Sequence, residues 1–262
     1  MHTPAQTHRP PSASGPGIAP GRVAQGNPGT ARQLLARDGA VILTGHENTP
    51  DALVVTAAQI VGDRLRELYP QRVRTSHPGD PVHLHADSFD ILVDIGGVPH
   101  RRRHPDEDHV LVQCARPAPE GGDSFALDAY AFVDELSTSD PVLHTFLTST
   151  DVDLYGDWAD LRGLPATPRI GRHVEFTRTG RRIVRRTDGA VPLHRDPDSD
   201  HIRTQLARLT EAVHEVEPSL PRFRLDAGDI LVLDNYRCWH GRDRHTGERT
   251  VRILTARSSD AA

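Results

Sequence analysis

The chain has 262 residues, a formal net charge of -5 and 36% hydrophobic residues. This length fits one domain of the sandwich or barrel type, which runs to roughly 200–250 residues. No apolar run approaches the ~18 residues that a membrane span requires. The acidic balance disfavours a nucleic-acid partner, which usually meets a basic face.

Neither the cysteines nor the first residues point to secretion. The two cysteines, Cys114 and Cys238, cannot build a disulfide framework and fit a reducing cytoplasm. The first residues lack the charged and apolar regions of a signal peptide. Residues 1–28 are rich in Pro, Gly, Ala, Ser and Thr, which predicts a disordered tail before a single domain over 29–262.

The first half of the chain alternates helical and extended patterns. Helices are read from apolar residues at helical spacing with Pro or capping residues at the start, and strands from alternation or short apolar runs. The predicted elements are a helix over 30–37 stopped by Gly39, a strand over 40–43, a helix over 51–68, a strand over 82–87, a loop over 98–108 and a strand over 109–114.

The second half predicts helices first and strands at the end. The predicted elements are a turn over 117–123, helices over 128–136 and 142–147, two strands within 173–185, a helix over 200–216, and strands over 230–233 and 251–254. Strands joined by loops of mixed length, with helices packed outside, indicate a mainly β fold with flanking helices (α+β) of the jelly-roll type.

The last two predicted strands carry residues suited to binding a metal beside an anion. His240 ends the first of these strands, and Arg249, Arg252 and Arg257 lie on the returning one. A hairpin of this kind would place an imidazole on one strand and a guanidinium on its neighbour. We take this arrangement as a hypothesis that needs partners elsewhere in the chain.

A His-x-Asp pair can supply such partners, because residues two apart lie on the same face of a strand. Two imidazoles and one carboxylate form the facial triad that holds iron(II) while leaving positions open. With 16 histidines in the chain, such a pair alone proves little. The chain has three pairs, at His85/Asp87, His104/Asp106 and His194/Asp196.

Context favours His85/Asp87, which ends an alternating strand-like segment. The pair at 104 and 106 straddles a proline inside a charged loop, and the pair at 194 and 196 is bracketed by prolines. Both stay as alternatives. His83 would share a face with His85 on a regular strand, so it is a rival ligand or a polar neighbour.

Three motifs together resemble a known family. His85-Ala86-Asp87, the GGDS stretch at 121–124, and DNYRCWHGR at 234–242 followed by ERTVR resemble the clavaminate synthase-like/TauD family of iron(II) and 2-oxoglutarate dioxygenases. The resemblance covers roughly residues 31–257. Within the family, the HADSF stretch and the sequence around DNYRCWHGR look most like the carbapenem synthase branch.

The resemblance implies a double-stranded β-helix, the cupin-like jelly roll, with His85, Asp87 and His240 as iron ligands. Ser124 takes the position of a threonine that contacts the co-substrate carboxylate. An arginine on the last strand would clamp the distal carboxylate of 2-oxoglutarate, but the usual arginine spacing is broken here. Arg252 lies at the more usual distance from the histidine, so the prediction leans to it and keeps Arg249.

The resemblance also implies an enzyme that uses Fe(II), 2-oxoglutarate and O2 and releases succinate and CO2. The expected substrate is a small molecule, an amino acid or an intermediate of natural-product or antibiotic biosynthesis, which is hydroxylated, desaturated or cyclised. The presence of Asp87 disfavours halogenation, and Arg242 offers a second anion contact or a surface salt bridge. The alternatives are a non-catalytic cupin-like protein that binds a metal or another ligand, and an oxygenase acting on macromolecules. The sequence leaves the oligomeric state open.

Overall fold

The computed structural model describes residues 15–87, 90–103, 107–158 and 168–261. Two β-sheets lie face to face, and helices cover the outer face of each. The larger sheet has seven strands. Its strands are β2 (Gly21–Ala24), β3 (Ala40–Thr44), β4 (Leu65–Leu68), β5 (Arg72–Ser76), β9 (His109–Arg116), β17 (Ile230–Asp234) and β20 (Arg249–Ser258).

The order in this sheet is β2-β3-β17-β9-β20-β4, with β5 also paired to β20. The pairing of β2 with β3 is parallel, and the other pairings are antiparallel. The strands of the smaller sheet are β1 (Gly17–Ile18), β6 (Val82–His85), β11 (Ser124–Asp128), β16 (Arg222–Phe223) and β18 (Cys238–Arg242). Their order is β1-β11-β18-β6, with β16 paired to β11.

Four two-stranded ribbons complete the described β structure. They are β7 (Asp90–Ile95) with β8 (Val98–Arg103), β10 (Glu120–Gly121) with β19 (His245–Thr246), β12 (Val152–Asp153) with β13 (Ile170–Gly171), and β14 (Val174–Phe176) with β15 (Arg182–Val184).

The described helices fall into an early pair and a later group. They are α1 (Pro28–Asp38), α2 (Pro50–Val61), α3 (Ala129–Ser139), α4 (Pro141–Ser149) and α5 (Ser199–Val216), with short 3-10 turns at Gly62–Arg64, Gly156–Trp158 and Glu217–Ser219. Within the described ranges, no helix combines the length and hydropathy needed to cross a bilayer.

Three apolar clusters hold these layers together. Leu35, Leu53, Ile60, Val232 and Leu254 belong to the cluster between the larger sheet and α1 and α2. Val112, Ala126, Leu231, Cys238 and Val251 belong to the cluster between the two sheets. Leu127, Phe132, Phe146, Leu209 and Trp239 belong to the cluster between the smaller sheet and α3, α4 and α5. The space between the sheets is therefore the interior of the jelly roll.

The predicted helix over 51–68 is wrong in its second half. The helix ends at Val61, and Gly62 follows with φ 65°, a conformation that costs little only for glycine. Leu65–Leu68 then forms β4 against β20. The helical spacing of apolar residues did not reveal this change, because the strand is fixed by its partner rather than by its own sequence.

Two other expectations also differ from the structure. Part of the predicted 98–108 loop is strand β8, which pairs with β7. Within the 1–28 stretch predicted as a disordered tail, β1 and β2 pair with β11 and β3. β7 and β8 form a local hairpin around Gly96 and Gly97, whereas β1 takes its partner β11 from more than 100 residues further along the chain. Low hydrophobicity therefore did not prevent β1 and β2 from being ordered.

The closing segment is not a simple hairpin. β18, which carries His240, lies in the smaller sheet, whereas β20, which carries the arginines, lies in the larger sheet. The imidazole and the guanidinium therefore sit on opposite walls of the interior rather than on neighbouring strands.

Candidate metal and co-substrate site

The structure brings His85, Asp87 and His240 together at one end of the smaller sheet. His240 on β18 is the register partner of His85 on β6, and the two ring centroids are 4.5 Å apart. Asp87 follows β6, with its Oδ1 3.8 Å from Nε2 of His85 and its Oδ2 4.0 Å from Nε2 of His240. One ligand atom from each residue lies within 4.8 Å of the others. These three side chains can therefore converge on one ion.

Gly241 permits the close packing beside His240. A Cβ at Gly241 would lie 2.4 Å from the Phe125 ring and 2.6 Å from the carbonyl oxygen of Val82. Both contacts are far shorter than a carbon atom tolerates, so any larger residue would push β6 or β11 away. The pairing that sets His85 opposite His240 depends on this glycine.

The protonation states of the triad suit metal binding. Burial lowers the pKa of His240 to about 4, and the neighbouring His85 adds to the effect. Burial by itself would raise the pKa of Asp87, but His240, His85 and Arg72 outweigh it and lower the pKa below its ordinary value. At neutral pH His240 is therefore a neutral imidazole and Asp87 a carboxylate, which are the forms that bind metals.

The free atoms of the triad also fit a bound cation. His85 donates from Nδ1 to the carbonyl oxygen of His83 at 2.9 Å, which leaves Nε2 as the electron-pair donor toward Asp87. Such an outer hydrogen bond is usual for a metal-binding histidine. Oδ2 of Asp87 is buried without a hydrogen-bond partner among the described residues. Since buried carboxylate oxygens normally have partners, a cation at this position would supply the missing one.

Asn235 holds the backbone of Asp87 in place. Its Oδ1 accepts from the Asp87 N–H at 3.0 Å, and its Nδ2 donates to the Asp87 carbonyl oxygen at 3.0 Å and to that of Glu107 at 2.8 Å. Asn235 is buried and lies in the turn that leads into β18. Asn235 was not among the predicted site residues, although its place in DNYRCWHGR was a usable signal.

Arg72 on β5 is a second residue that the sequence analysis missed. Its Nη2 lies 3.9 Å from Oδ2 of Asp87. No element was predicted over 72–76, so nothing local marked this arginine. β5 reaches the site only because it pairs with β20.

Arg249 and Arg252 lie on opposite faces of β20, as their spacing requires. Arg249 is buried and shares a face with Val251, which packs between the sheets. Arg252 shares a face with Leu254 of the helix-side cluster. It donates to Oδ1 of Asn48 at 2.7 Å and to Oε1 of Gln113 at 3.0 Å. The geometry therefore favours Arg249 for a role in the interior, against the sequence-based preference for Arg252.

Arg249 is a buried cation without a carboxylate partner among the described residues. Burial lowers the pKa of Arg249, and the positive charge of Arg242 adds to the effect. Arg242 donates to the backbone carbonyl oxygens of Asp243 at 2.8 Å and Asp80 at 3.3 Å. The structure shows no salt bridge for Arg242 in the described part of the chain. Two arginines without a salt bridge among the described residues make this region attractive to an anion.

Ser124 lies beside Arg242. It is buried, is the register partner of Arg242 and shares a face with Ala126 of the core between the sheets. Ser124 and Arg249 thus both face the interior between the sheets, with Arg242 next to Ser124.

The other candidate ligands that the structure describes do not join the triad. His194 is exposed and lies in a turn where Oδ1 of Asp196 accepts from the Asp198 N–H at 2.9 Å. The pair at 104 and 106 lies outside the described residues. His83 turns to Glu217, with Nδ1 2.8 Å from Oε2, so it is not a rival to His85 in this arrangement.

Several solved structures share this fold. A structure of AAD-2 in complex with Mn(II) and N-oxalylglycine is 14% identical with a TM-score of 0.62, and 92% of this chain and 91% of that chain are covered. A taurine dioxygenase from Burkholderia xenovorans is 16% identical with a TM-score of 0.59, covering 95% and 93%. PvcB from Pseudomonas aeruginosa is 14% identical with a TM-score of 0.58, covering 99% and 98%. These likenesses confirm the predicted mainly β fold with its jelly-roll core.

The sequence itself matches one family profile. No curated protein matches the chain significantly. The profile of the taurine catabolism dioxygenase TauD, TfdA family matches residues 17–256, which is nearly the whole chain and includes all the site residues described above. Members of this family use Fe(II), 2-oxoglutarate and O2. On this match and the fold, the chain belongs to the TauD/TfdA family of dioxygenases.

Proposed function

We propose that this protein is an Fe(II)- and 2-oxoglutarate-dependent oxygenase that oxidises a small molecule. The observation that carries the proposal is the pairing of two features inside one jelly roll. His85, Asp87 and His240 place their ligand atoms within 4.8 Å of one another, and a buried arginine without a carboxylate partner among the described residues lies on the facing sheet.

The triad would hold Fe(II) through two imidazole nitrogens and one carboxylate oxygen, an arrangement typical of oxygenases of this kind. With 2-oxoglutarate and O2, iron held there would supply the chemistry for oxidising a substrate C–H bond, with succinate and CO2 as co-products. The chain's own contribution is to present neutral His240 and ionised Asp87 in fixed positions. Asp87 occupies the position that halogenating relatives leave open, which disfavours halogenation.

Arg249 would bind the distal carboxylate of 2-oxoglutarate. Its guanidinium is buried, and a carboxylate matches the guanidinium fork with two parallel hydrogen bonds. Ser124 would donate its hydroxyl hydrogen to the same carboxylate, and Arg242 would add positive charge nearby. Because Arg249 has no carboxylate partner among the described residues, the co-substrate would not have to displace one from it.

The proposed substrate class is an amino acid or a natural-product intermediate, and the outcome is hydroxylation, desaturation or ring closure. Support for this class comes from the family and from the resemblance of HADSF and DNYRCWHGR to the carbapenem synthase branch. Membership of that branch stays a prediction. Trials of substrates therefore start with free amino acids and small cyclic derivatives of them.

The test is anaerobic addition of Fe(II) and 2-oxoglutarate, followed by the weak visible charge-transfer band of the chelate. Wild type should give the band, and His85→Ala and Asp87→Ala should lose it. Asp196→Ala, from the rejected His-x-Asp pair, is the matched control and should keep it. Admission of O2 should then give succinate. Absence of the band in wild type refutes the proposal, and a metal-loaded protein that forms no succinate would be a non-catalytic binding protein.

A further inference from the structure

A second group of metal-binding side chains lies outside the site described above. It is formed by His83 on β6, His214 in the last turn of α5, and Glu217 in the 3-10 turn that follows. One ligand atom from each lies within 4.8 Å of the others. The His83 and His214 ring centroids are 4.7 Å apart. We call these three residues the His83 cluster.

Glu217 is fixed in position before any ion binds. The residue is buried, and its Oε1 accepts from the backbone N–H of Leu84 at 2.8 Å. Its Oε2 is 2.8 Å from Nδ1 of His83. A carboxylate held from one side by the backbone and facing an imidazole on the other needs little rearrangement to become a ligand. Because the ligand residues of such a site are already ordered, binding an ion there costs less conformational entropy.

The two histidines remain accessible to an ion from solvent. His83 and His214 are both exposed, and both line a cavity of about 400 Å³ whose other walls include Thr210 and Asp188. This cavity leaves room for water or a small anion beside an ion held by the cluster. His214 is also in the last turn of α5, where the helix dipole favours positive charge.

We propose that the His83 cluster binds a divalent transition-metal ion, with Zn²⁺ as the preferred occupant. Two imidazoles and one carboxylate, with a further position open to water, form a common donor set for zinc. Imidazole also suits Cu²⁺ and Ni²⁺, so these ions bind as competitors. When the ion binds, Oε2 of Glu217 exchanges its hydrogen bond with His83 for a bond to the metal, and the neutral His83 ring then carries its proton on Nε2 and offers Nδ1 to the ion.

Binding at the cluster would connect β6 to the C-terminal end of α5. β6 also carries His85, whose Nδ1 donates to the carbonyl oxygen of His83. The strand that presents one ligand of the first site is thereby fixed at a second point. The inference rests on the geometry of the His83 cluster and does not depend on the proposed oxygenase activity.

The first experiment counts ions by equilibrium dialysis against buffered Zn²⁺. Wild type should bind two ions per chain, because Zn²⁺ also fits the triad. Asp87→Ala should bind one, and Asp87→Ala combined with His214→Gln should bind none. His201→Gln, an exposed histidine on the same helix, is the matched control and should keep both ions. In the Asp87→Ala protein, loss of His214 should weaken zinc binding at least about tenfold.

A second readout uses thermal unfolding of the Asp87→Ala protein. Added Zn²⁺ should raise its Tm, because an ion that binds only the folded state stabilises it. The rise should disappear with His214→Gln and shrink with Glu217→Gln, which retains a carbonyl oxygen for the Leu84 N–H. If Asp87→Ala binds no Zn²⁺, or if His214→Gln leaves binding and Tm unchanged, the proposed site does not exist.

Discussion

Replacement of Arg249 by leucine should weaken 2-oxoglutarate binding while the protein stays folded. In the free protein Arg249 is 9% exposed and has no carboxylate partner among the described residues. Leucine keeps part of the apolar stem of the side chain. Because Arg249 has no carboxylate partner among the described residues, the substitution removes a buried charge without breaking an ion pair. The matched variant is Arg252→Leu, on the opposite face of the same strand, where the guanidinium contacts Asn48 and Gln113.

The size of the effect follows from the burial of Arg249. Removal of one partner from a buried, hydrogen-bonded charge pair costs about 2–5 kcal/mol. Since about 1.4 kcal/mol is a factor of ten, the range corresponds to a rise in Kd of roughly 30-fold to several thousand-fold. Arg242 and Ser124 lie beside the same position and keep part of the attraction, so we expect the lower end, about 30- to 100-fold.

The assay is an anaerobic titration of the Fe(II)-loaded protein with 2-oxoglutarate, followed by the charge-transfer band. Arg249→Leu should shift the midpoint by the stated factor, and Arg252→Leu should stay within about threefold of wild type. Thermal unfolding of both variants checks that they are folded. A large rise in the 2-oxoglutarate Kd for Arg252→Leu, with no change for Arg249→Leu, would show that Arg249 is not the arginine that binds the co-substrate.

Three further predictions concern the support of the site and the core. Asn235→Ala removes the hydrogen bonds that hold the Asp87 backbone, so Fe(II) affinity should fall about 10- to 100-fold; an unchanged Kd by metal titration would deny Asn235 this positioning role. Gly241→Ala places a methyl group where no space exists and should lower the free energy of unfolding by about 1–3 kcal/mol in urea titrations. An unchanged free energy of unfolding would mean that β6 can move to make room for the methyl group at no cost. Burial lowers the pKa of His173 to about 4, so the unfolded chain takes up its proton first as pH falls below about 6.5. The stability that the neutral ring contributes is complete above that pH and is lost toward pH 4, with a cost of about 2 kcal/mol between pH 7 and pH 5. His173→Phe should flatten the pH dependence of unfolding by this amount, and an equal slope in both proteins would contradict the assignment.

Local patterns in the sequence determined the classes of residue at the site and the main elements of the fold. Four elements were predicted near their observed bounds: the helices α1 and α5 and the apolar strands β3 and β17. These predictions succeeded because side-chain periodicity and the signals at element ends are local properties. The motif DNYRCWHGR and the His85/Asp87 pair identified candidate iron ligands in the same way. Each of these inferences needs only residues that are close in the chain.

Tertiary structure decided which of these residues meet. β18 and β20 lie in different sheets, so His240 and Arg249 lie on opposite sides of the interior rather than on neighbouring strands of a hairpin. Arg249 and Arg252 differ by an odd number of residues, and only the packing of Val251 and Leu254 shows which face is inside. A shift of one residue in register reverses the faces of a strand, and short-range sequence does not fix that register.

The residues that sequence reasoning missed are those whose role depends on a distant partner. Arg72 approaches Asp87 because β5 pairs with β20, and Asn235 holds Asp87 through backbone atoms. His83, considered first as a rival to His85, instead meets His214 and Glu217 because α5 packs across the end of β6. The sequence alone therefore determined the family of folds and the types of ligand, while the pairing of strands and helices decided which side chains form each site.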